Sequence, residues 1–209
     1  MESKDAKLEI EFESFLKAAN SGDSSAMWNL AVAYEFGDGV TQDDLQAFKW
    51  YKLAAESGDI DAMESLGICY YLGRGTNPDF DKAFAWLKKA ADQYRANAMF
   101  YLGLMHVFGK GVRKDLELAF RWMKRATEYK HVSAMLWAGK IRLRQAKLQS
   151  KFNRKQEFRK FARFWFDKAT RNGNKNAREE LRKMDDEDGN FVVRSIVGIF
   201  MNLKDKFSA

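Results

Sequence analysis

Apolar and small residues return along this chain at a fixed spacing, and that spacing predicts stacked helical repeats. A frame that begins at Ala62 recurs, with few changes, 36 residues earlier and 36 residues later. Its members after Ala62 are Leu66, Gly67, Tyr70, Gly73, Gly75, Asp79, Ala83, Trp86, Ala90 and Ala91. Self-similarity at a period of about 20 to 50 residues is typical of a solenoid.

The first half of each unit has the rhythm of one helix, which we call helix A. Ala62, Leu66 and Tyr70 stand at i, i+4 and i+8, so they share a helical face. The Gly73-x-Gly75 turn predicts where helix A ends, because glycine enters left-handed backbone conformations without a steric penalty.

The second half of the unit predicts another helix, helix B. Thr41 and Asn77 suit its N-cap and Pro78 its first helical position. A carboxylate is expected in the first turn of helix B, where the helix dipole favours it, at Asp43, Asp79 and Asp115. The residues expected to fill the space between helix pairs include the three tryptophans Trp50, Trp86 and Trp122.

The repeat frame sets the expected domain boundaries. Residues 8–22 match a lone helix B, and full units follow at about 24–59, 60–95 and 96–131. A divergent unit at 132–176 lacks the Gly-x-Gly turn and carries a seven-residue insertion, since its tryptophan arrives late, at Trp165. We therefore expect one solenoid over residues 1–184, then an acidic linker and an amphipathic C-terminal helix within 185–209.

Composition narrows the class of protein. The chain of 209 residues has one proline, as expected of a nearly all-helical protein, and a net charge of +7. Cys69 is the single cysteine, so no internal disulfide can form, which favours a reducing compartment. Neither a secretory signal nor an apolar run long enough to span a membrane is found in the sequence, and a cytoplasmic location is expected.

The frame resembles the Sel-one-like repeats, relatives of the tetratricopeptide repeats. The residues that carry the resemblance are the Ala-x₃-Leu-Gly, Gly-x-Gly, Asp and Trp positions of 24–131, with partial matches at 8–22 and 132–177. The resemblance implies an all-α, right-handed superhelical solenoid of antiparallel helix pairs that acts as an adaptor or scaffold. Some bacterial relatives are encoded beside toxins and act as immunity proteins, so a toxin or effector is one expected partner.

Catalysis is not expected from this sequence, nor is a cofactor or a metal. His106 occupies the tyrosine position of helix A and is expected in the core, while His131 is expected at a solvated turn. Cys69 lies in a helix and is expected to be an inert buried thiol. These residues have no neighbours spaced as a catalytic triad or a metal site.

A partner protein is expected in a concave groove lined by helix A, if the units stack as tetratricopeptide repeats do. The residues predicted to be exposed there are Trp28, Val32, Glu35, Glu64, Ile68, Tyr71, Phe100, Leu104, Val107, Lys140 and Arg144. Phe36, Leu72 and Phe108 are expected instead to pack against the next repeat. An apolar groove rimmed by charge is a usual form of peptide or helix site.

Residues 140–163 contain ten basic residues and one acidic residue. The predicted basic patch comprises Arg142, Lys147, Lys151, Arg154, Lys155, Arg159 and Lys160. It is either a solvated helix face or an electrostatic site for an acidic protein, which we favour over RNA or anionic lipid. The C-terminal helix is either a cap, part of the interface or a contact with the membrane surface.

Overall fold

The computed structural model describes residues 4–189, and this part of the chain is helical without any strand. Residue contacts divide the chain into two compact units, residues 1–131 and residues from 132 onward. The predicted all-α repeat of antiparallel helix pairs is confirmed. That residues 1–184 form one continuous solenoid stays a prediction.

The first unit consists of a lone helix followed by three helical hairpins. Its helices are α1 (Lys4–Asn20), α2 (Ser24–Phe36), α3 (Asp44–Glu56), α4 (Ile60–Leu72), α5 (Phe80–Asp92), α6 (Ala96–Phe108) and α7 (Leu116–Glu128). Each even-numbered helix is a helix A and packs on the helix B that follows it. Gly37, Gly73 and Gly109 end the three A helices in the left-handed conformation, as the sequence predicts.

The second unit contains α8 (Val132–Lys147), α9 (Phe152–Arg171) and a helix α10 over residues 175–189. The expectation of a linker from residue 185 onward is wrong for residues 185–189, which continue α10. Their acidic side chains face arginines of α9, and these ion pairs favour the helical conformation here. The predicted C-terminal helix lies outside the described residues.

The N-caps of the B helices differ from the sequence prediction by two residues. Asp43 rather than Thr41 caps α3, because its carboxylate accepts hydrogen bonds from the backbone N–H groups of Leu45 and Gln46 at 2.9 and 3.0 Å. Asp79 and Asp115 cap α5 and α7 in the same way. The carboxylate thus satisfies backbone donors directly, in addition to any favourable interaction with the helix dipole.

The deepest contact inside each hairpin joins a small residue of helix A to a large one of helix B. A Cβ added at Gly67 would lie 2.7 Å from Leu87 Cγ, and one added at Gly139 would lie 2.5 Å from Phe166. Leu87 and its counterparts Tyr51, Met123 and Phe166 are fully buried, or nearly so. Trp50, Trp86 and Trp122, expected to fill the interior, are only half-buried, because each lies one position earlier and about 100° away around the helix.

The turns between repeats close alike even where glycine is absent. Gly22 and Gly58 have positive φ, and Tyr94 and Lys130 take the left-handed conformation at the equivalent later positions, with φ of 64° and 61°. Tyr94 and Lys130 therefore close their turns in the same backbone conformation as the two glycines. The backbone hydrogen bonds that end helix B override the steric preference of the two side chains.

The second glycine of each Gly-x-Gly turn packs directly on the helix B that precedes its own hairpin, which is α1, α3 or α5. A Cβ at Gly39 or Gly75 would overlap the backbone of Leu8 in α1 or Asp44 in α3. A Cβ at Gly111 would lie 2.6 Å from Phe80 Cβ in α5. Glycine at these positions therefore lets each repeat of the first unit approach the preceding one more closely than a residue with a Cβ would allow.

Candidate interaction surface

The predicted groove residues at the start of helix A join neighbouring repeats. Trp28 Nε1 donates a hydrogen bond to Ser65 Oγ of the next repeat, at 3.4 Å. The Glu64 carboxylate accepts one from the backbone N–H of Ala98, at 3.0 Å. These two residues are half-buried and hold the stack together, so they offer a partner less surface than the sequence suggests.

Phe100, which occupies the same position in the third repeat, stacks on His131. The ring centroids are 4.6 Å apart, and His131 Nε2 lies 3.0 Å from Asn97 Oδ1. Burial lowers the pKa of His131. His131 lies at the turn between repeats, as expected, but its half-buried ring stacks on Phe100 instead of being fully solvated.

Glu35 forms a polar joint between the first and second repeats. Its mostly buried carboxylate pairs with the Arg74 guanidinium and accepts a hydrogen bond from the Tyr51 hydroxyl at 2.6 Å. Burial, together with the hydrogen bond to Glu35, raises the pKa of Tyr51. Arg74 is the middle residue of the Gly73-x-Gly75 turn. This turn therefore packs on α3 through Gly75 and forms an ion pair with α2 through Arg74.

The same position in the next repeat holds a different pair. Tyr71 takes the place of Glu35, and the Lys110 ammonium, in the place of Arg74, lies 4.6 Å from the centre of the Tyr71 ring. An ion pair at one joint is thus replaced by a cation–π contact at the next. Tyr71 is buried, and so is Val107, the third residue of this row. The expectation that Tyr71 and Val107 are exposed to a partner is therefore wrong.

The middle row of predicted groove residues is mixed. Val32 and Ile68 are half-buried, and Leu104 is buried, contrary to expectation. Lys140 and Arg144 belong to the second unit, where Lys140 lies over the Trp137 ring and Arg144 is exposed. The structure therefore brings the first-unit residues together mainly as joints between repeats.

An exposed apolar row, which sequence reasoning assigned to packing, lies at the end of helix A. Phe36, Leu72 and Phe108 are exposed to 67%, 47% and 52%. The expectation that they pack against the next repeat is wrong for Phe36 and Leu72, which stay largely exposed. Each of the three is the last residue before a Gly-x-Gly turn. The 36-residue spacing was the signal that could have identified this row.

The predicted basic patch divides into two parts. Arg159 of the patch is paired with α10, since its Nη2 lies 2.6 Å from the Asp188 carboxylate. Arg163, which follows the patch on α9, has its Nη1 2.6 Å from the Asp185 carboxylate of α10. Burial acts to lower the pKa of Arg159, but the hydrogen bonds that Arg159 donates to the Glu187 and Asp188 carboxylates, together with their negative charge, outweigh it and raise the pKa. Acidic residues therefore already satisfy this end of the patch.

The other part of the patch surrounds the α8–α9 turn. Lys147, Lys151, Arg154 and Lys155 are exposed, as is Lys160 further along α9. Arg142 is half-buried, with its guanidinium 5.5 Å from the centre of the Phe158 ring. The cations available to an outside ligand are thus concentrated at the turn.

Residues with catalytic potential are buried and dispersed. Burial and, to a lesser extent, the Glu35 carboxylate raise the pKa of the Cys69 thiol to about 12, which keeps it protonated. His106 is buried against Phe84, with Nδ1 3.3 Å from the Arg113 carbonyl oxygen. Over residues 4–189, no group of three or more His, Cys, Asp or Glu is placed to hold a metal ion, and no helix is long and apolar enough to cross a bilayer.

Hairpins that recur at one period, each with its turn seated on the preceding helix, define an α/α helical repeat protein. The chain belongs to the Sel1 repeat family, whose model matches residues 24–59, 60–94, 96–128 and 153–174. Proteins of this family generally mediate protein–protein interactions and are generally non-catalytic scaffolds. In the divergent fourth unit the match covers α9 but not α8.

Solved structures agree with this assignment. A Sel1 repeat protein from Oxalobacter formigenes is 29% identical, with a TM-score of 0.71 over 83% of this chain and 66% of its own. A protective antigen of uropathogenic Escherichia coli with an SLR fold is 27% identical, with a TM-score of 0.69 over 81% of this chain and 35% of its own. This chain therefore spans about a third of the antigen.

A curated relative matches a shorter segment. It is an exopolysaccharide production negative regulator from Rhizobium leguminosarum bv. viciae, 46% identical over 48 residues. The match covers 23% of this chain and 18% of the regulator.

Proposed function

We propose that the protein is a non-catalytic interaction module that holds an apolar segment of a partner protein on its first unit. The observation that carries the proposal is the exposed row of Phe36, Leu72 and Phe108 at one position in three consecutive repeats. Single exposed apolar residues are common on protein surfaces, whereas an aligned series is typical of a docking surface. Asp38, Arg74 and Lys110 provide a charged rim beside the row.

A helical partner segment would suit this row. An amphipathic helix presents one apolar stripe, which could contact an exposed apolar side chain on each of several repeats. Of the predicted groove residues, half-buried Val32 and Ile68 border this row, while Trp28, Glu35, Glu64 and Phe100 support it from the joints.

The test is capture of a partner from native lysate by the full-length protein, with and without nuclease and at low and high salt. One protein in stoichiometric amount that survives both treatments is the expected result. The triple variant F36S/L72S/F108S should lose most of that protein. A matched control, L45S/L53S, changes two residues of α3 exposed to 51% and 46% and should retain it.

Retention of the partner by the triple variant, or its equal loss from the control, would contradict the proposed surface. Loss of all captured material on nuclease or salt treatment would contradict the protein partner itself. Circular dichroism and a thermal melt establish that the variants remain folded. Substitutions at exposed positions are expected to change stability little.

We further infer that binding restrains the activity of the partner, as an immunity protein restrains a toxin or an inhibitor its effector. The relative named as a negative regulator supports this inference over the 48 matched residues. A purified complex in which the partner loses a measurable activity, recovered with the triple variant, is the expected result. A gene for a toxin or effector beside that of this protein would add support, and an active partner in the complex would contradict the inference.

A further inference from the structure

The turn of the α8–α9 hairpin carries two exposed apolar side chains at its apex. Leu148, immediately after α8, is 70% exposed, and Phe152, the first residue of α9, is 59% exposed. The connecting residues 149–151 contain no glycine, so this turn lacks the feature that seats the other three hairpins on a neighbouring helix. The apex therefore presents a large aliphatic and a large aromatic side chain to solvent.

Positive charge surrounds these two residues on both helices. Residues 144–155, which we call the hairpin tip, contain five basic residues and no acidic residue: Arg144, Lys147, Lys151, Arg154 and Lys155. All five are exposed. Within residues 4–189, no carboxylate forms an ion pair with any of them, whereas Arg159 and Arg163 lower on α9 are paired with α10.

We propose that the hairpin tip is an interfacial anchor that docks the protein on a bilayer rich in anionic phospholipid. The five cations lie beside the lipid phosphates, and Leu148 and Phe152 insert between the headgroups into the upper acyl region. A basic surface with a few apolar side chains at its apex is the arrangement that binds peripherally to anionic membranes. This anchor goes beyond the proposed partner-binding surface, which lies on the first unit.

The side chains at the apex favour a membrane over a nucleic acid. An exposed leucine gains by leaving water for lipid, but it offers a base neither a stacking face nor a hydrogen bond. Phe158, which could stack on a base, is covered by the Arg142 guanidinium instead. The two exposed apolar residues and the five cations are all used at a lipid surface, whereas RNA uses only the cations and one ring.

The test measures sedimentation of the full-length protein with vesicles of phosphatidylcholine alone and of phosphatidylcholine with 30% phosphatidylglycerol. Binding is expected only to the anionic vesicles and should weaken as salt is raised. L148S/F152S should reduce the partition coefficient on the order of tenfold or more, since it removes the inserted apolar area. The control L45S/L53S, with similar exposure on α3, should bind as the unchanged protein does.

A fluorescence measurement locates the inserted residue. Because Cys69 is buried with a raised pKa, L148C provides one reactive thiol for an environment-sensitive dye. A blue shift with anionic vesicles is expected at position 148 and not in L53C. Absence of the shift despite sedimentation would overturn the proposal, because another segment would then hold the membrane. Tighter binding to single-stranded RNA than to the anionic vesicles, unchanged in L148S/F152S, would overturn it in favour of nucleic acid.

Discussion

The three hairpins of the first unit and the hairpin of the second unit share a buried interior but differ at their turns. In both units a glycine or alanine of helix A faces a large, fully buried side chain of helix B, as at Gly67–Leu87 and Gly139–Phe166. The Gly-x-Gly turns pack on the preceding helix, whereas the shorter α8–α9 turn carries exposed apolar and basic residues. The same interior packing thus recurs in the hairpins of both units, whereas the turn can either pack on the preceding repeat or carry side chains that bind a ligand.

The largest effect is expected from adding a methyl group to a seated turn. In G75A the new Cβ would overlap the Asp44 carbonyl oxygen at a residue with φ of 65°. Strain and overpacking together should cost roughly 3 kcal/mol or more of unfolding free energy, measured by urea denaturation. In the control G58A, φ is 95° and nothing lies within 4 Å of the Cβ, so only strain of roughly 1–2 kcal/mol is expected. Equal costs would show that the turn is not closely seated.

An insertion sharpens the same contrast between turns. Two residues, Gly-Ser, added after Gln149 in the hairpin tip should cost less than about 1 kcal/mol, because the loop there only lengthens. The same two residues added after Arg74 should cost several times more, since they displace the seated glycine. Similar losses at both turns, measured by the same denaturation, would contradict the distinction.

The second effect concerns the interior that the hairpins share. L87A empties a fully buried site and should cost about 3 kcal/mol. W86A should cost about 1 kcal/mol, although it removes the larger side chain, because Trp86 is half-buried with the Lys89 ammonium 4.0 Å from its ring centre. The measurement is again the free energy of unfolding. A greater loss of unfolding free energy for W86A than for L87A would contradict the conclusion that the tryptophans lie outside the hairpin interior.

The sequence reveals which positions are equivalent but not which way each one points. The 36-residue period predicts the helix pairs and the Gly-x-Gly ends of helix A, because those depend on local backbone preferences. Tyr71 and Phe36 are both apolar residues near the end of helix A, yet one is buried and the other exposed. Which of these side chains is buried depends on how the next repeat packs against helix A. The pairing of Asp188 with Arg159 is likewise long-range and leaves no local signal.

The third effect compares the two joints that occupy one position in successive repeats. R74A leaves the mostly buried Glu35 carboxylate with Tyr51 as its remaining side-chain donor. Because Arg74 is itself 40% exposed, we expect a cost of only about 1–2 kcal/mol. K110A removes a cation–π contact and should cost about 0.5 kcal/mol. The check is a double-mutant cycle of R74A with E35Q, in which additive losses would contradict the joint.

The smallest effect is a pH dependence that originates in the first unit. Burial lowers the pKa of His131 below its ordinary value of 6.5, so the unfolded chain takes up a proton first as the pH falls. The stability that neutral His131 contributes is therefore present above about pH 6.5 and is lost as the pH falls through the folded pKa. H131F keeps a ring on Phe100 without the titrating group, and its unfolding free energy should change less between pH 7.5 and 5.5. The unchanged protein and H131F carry the same charges in the second unit. The difference between their pH profiles therefore reports the titration of His131 at its contact with Phe100. Identical profiles would mean that His131 titrates alike in the folded and unfolded chains, and that its stacking contributes by packing alone.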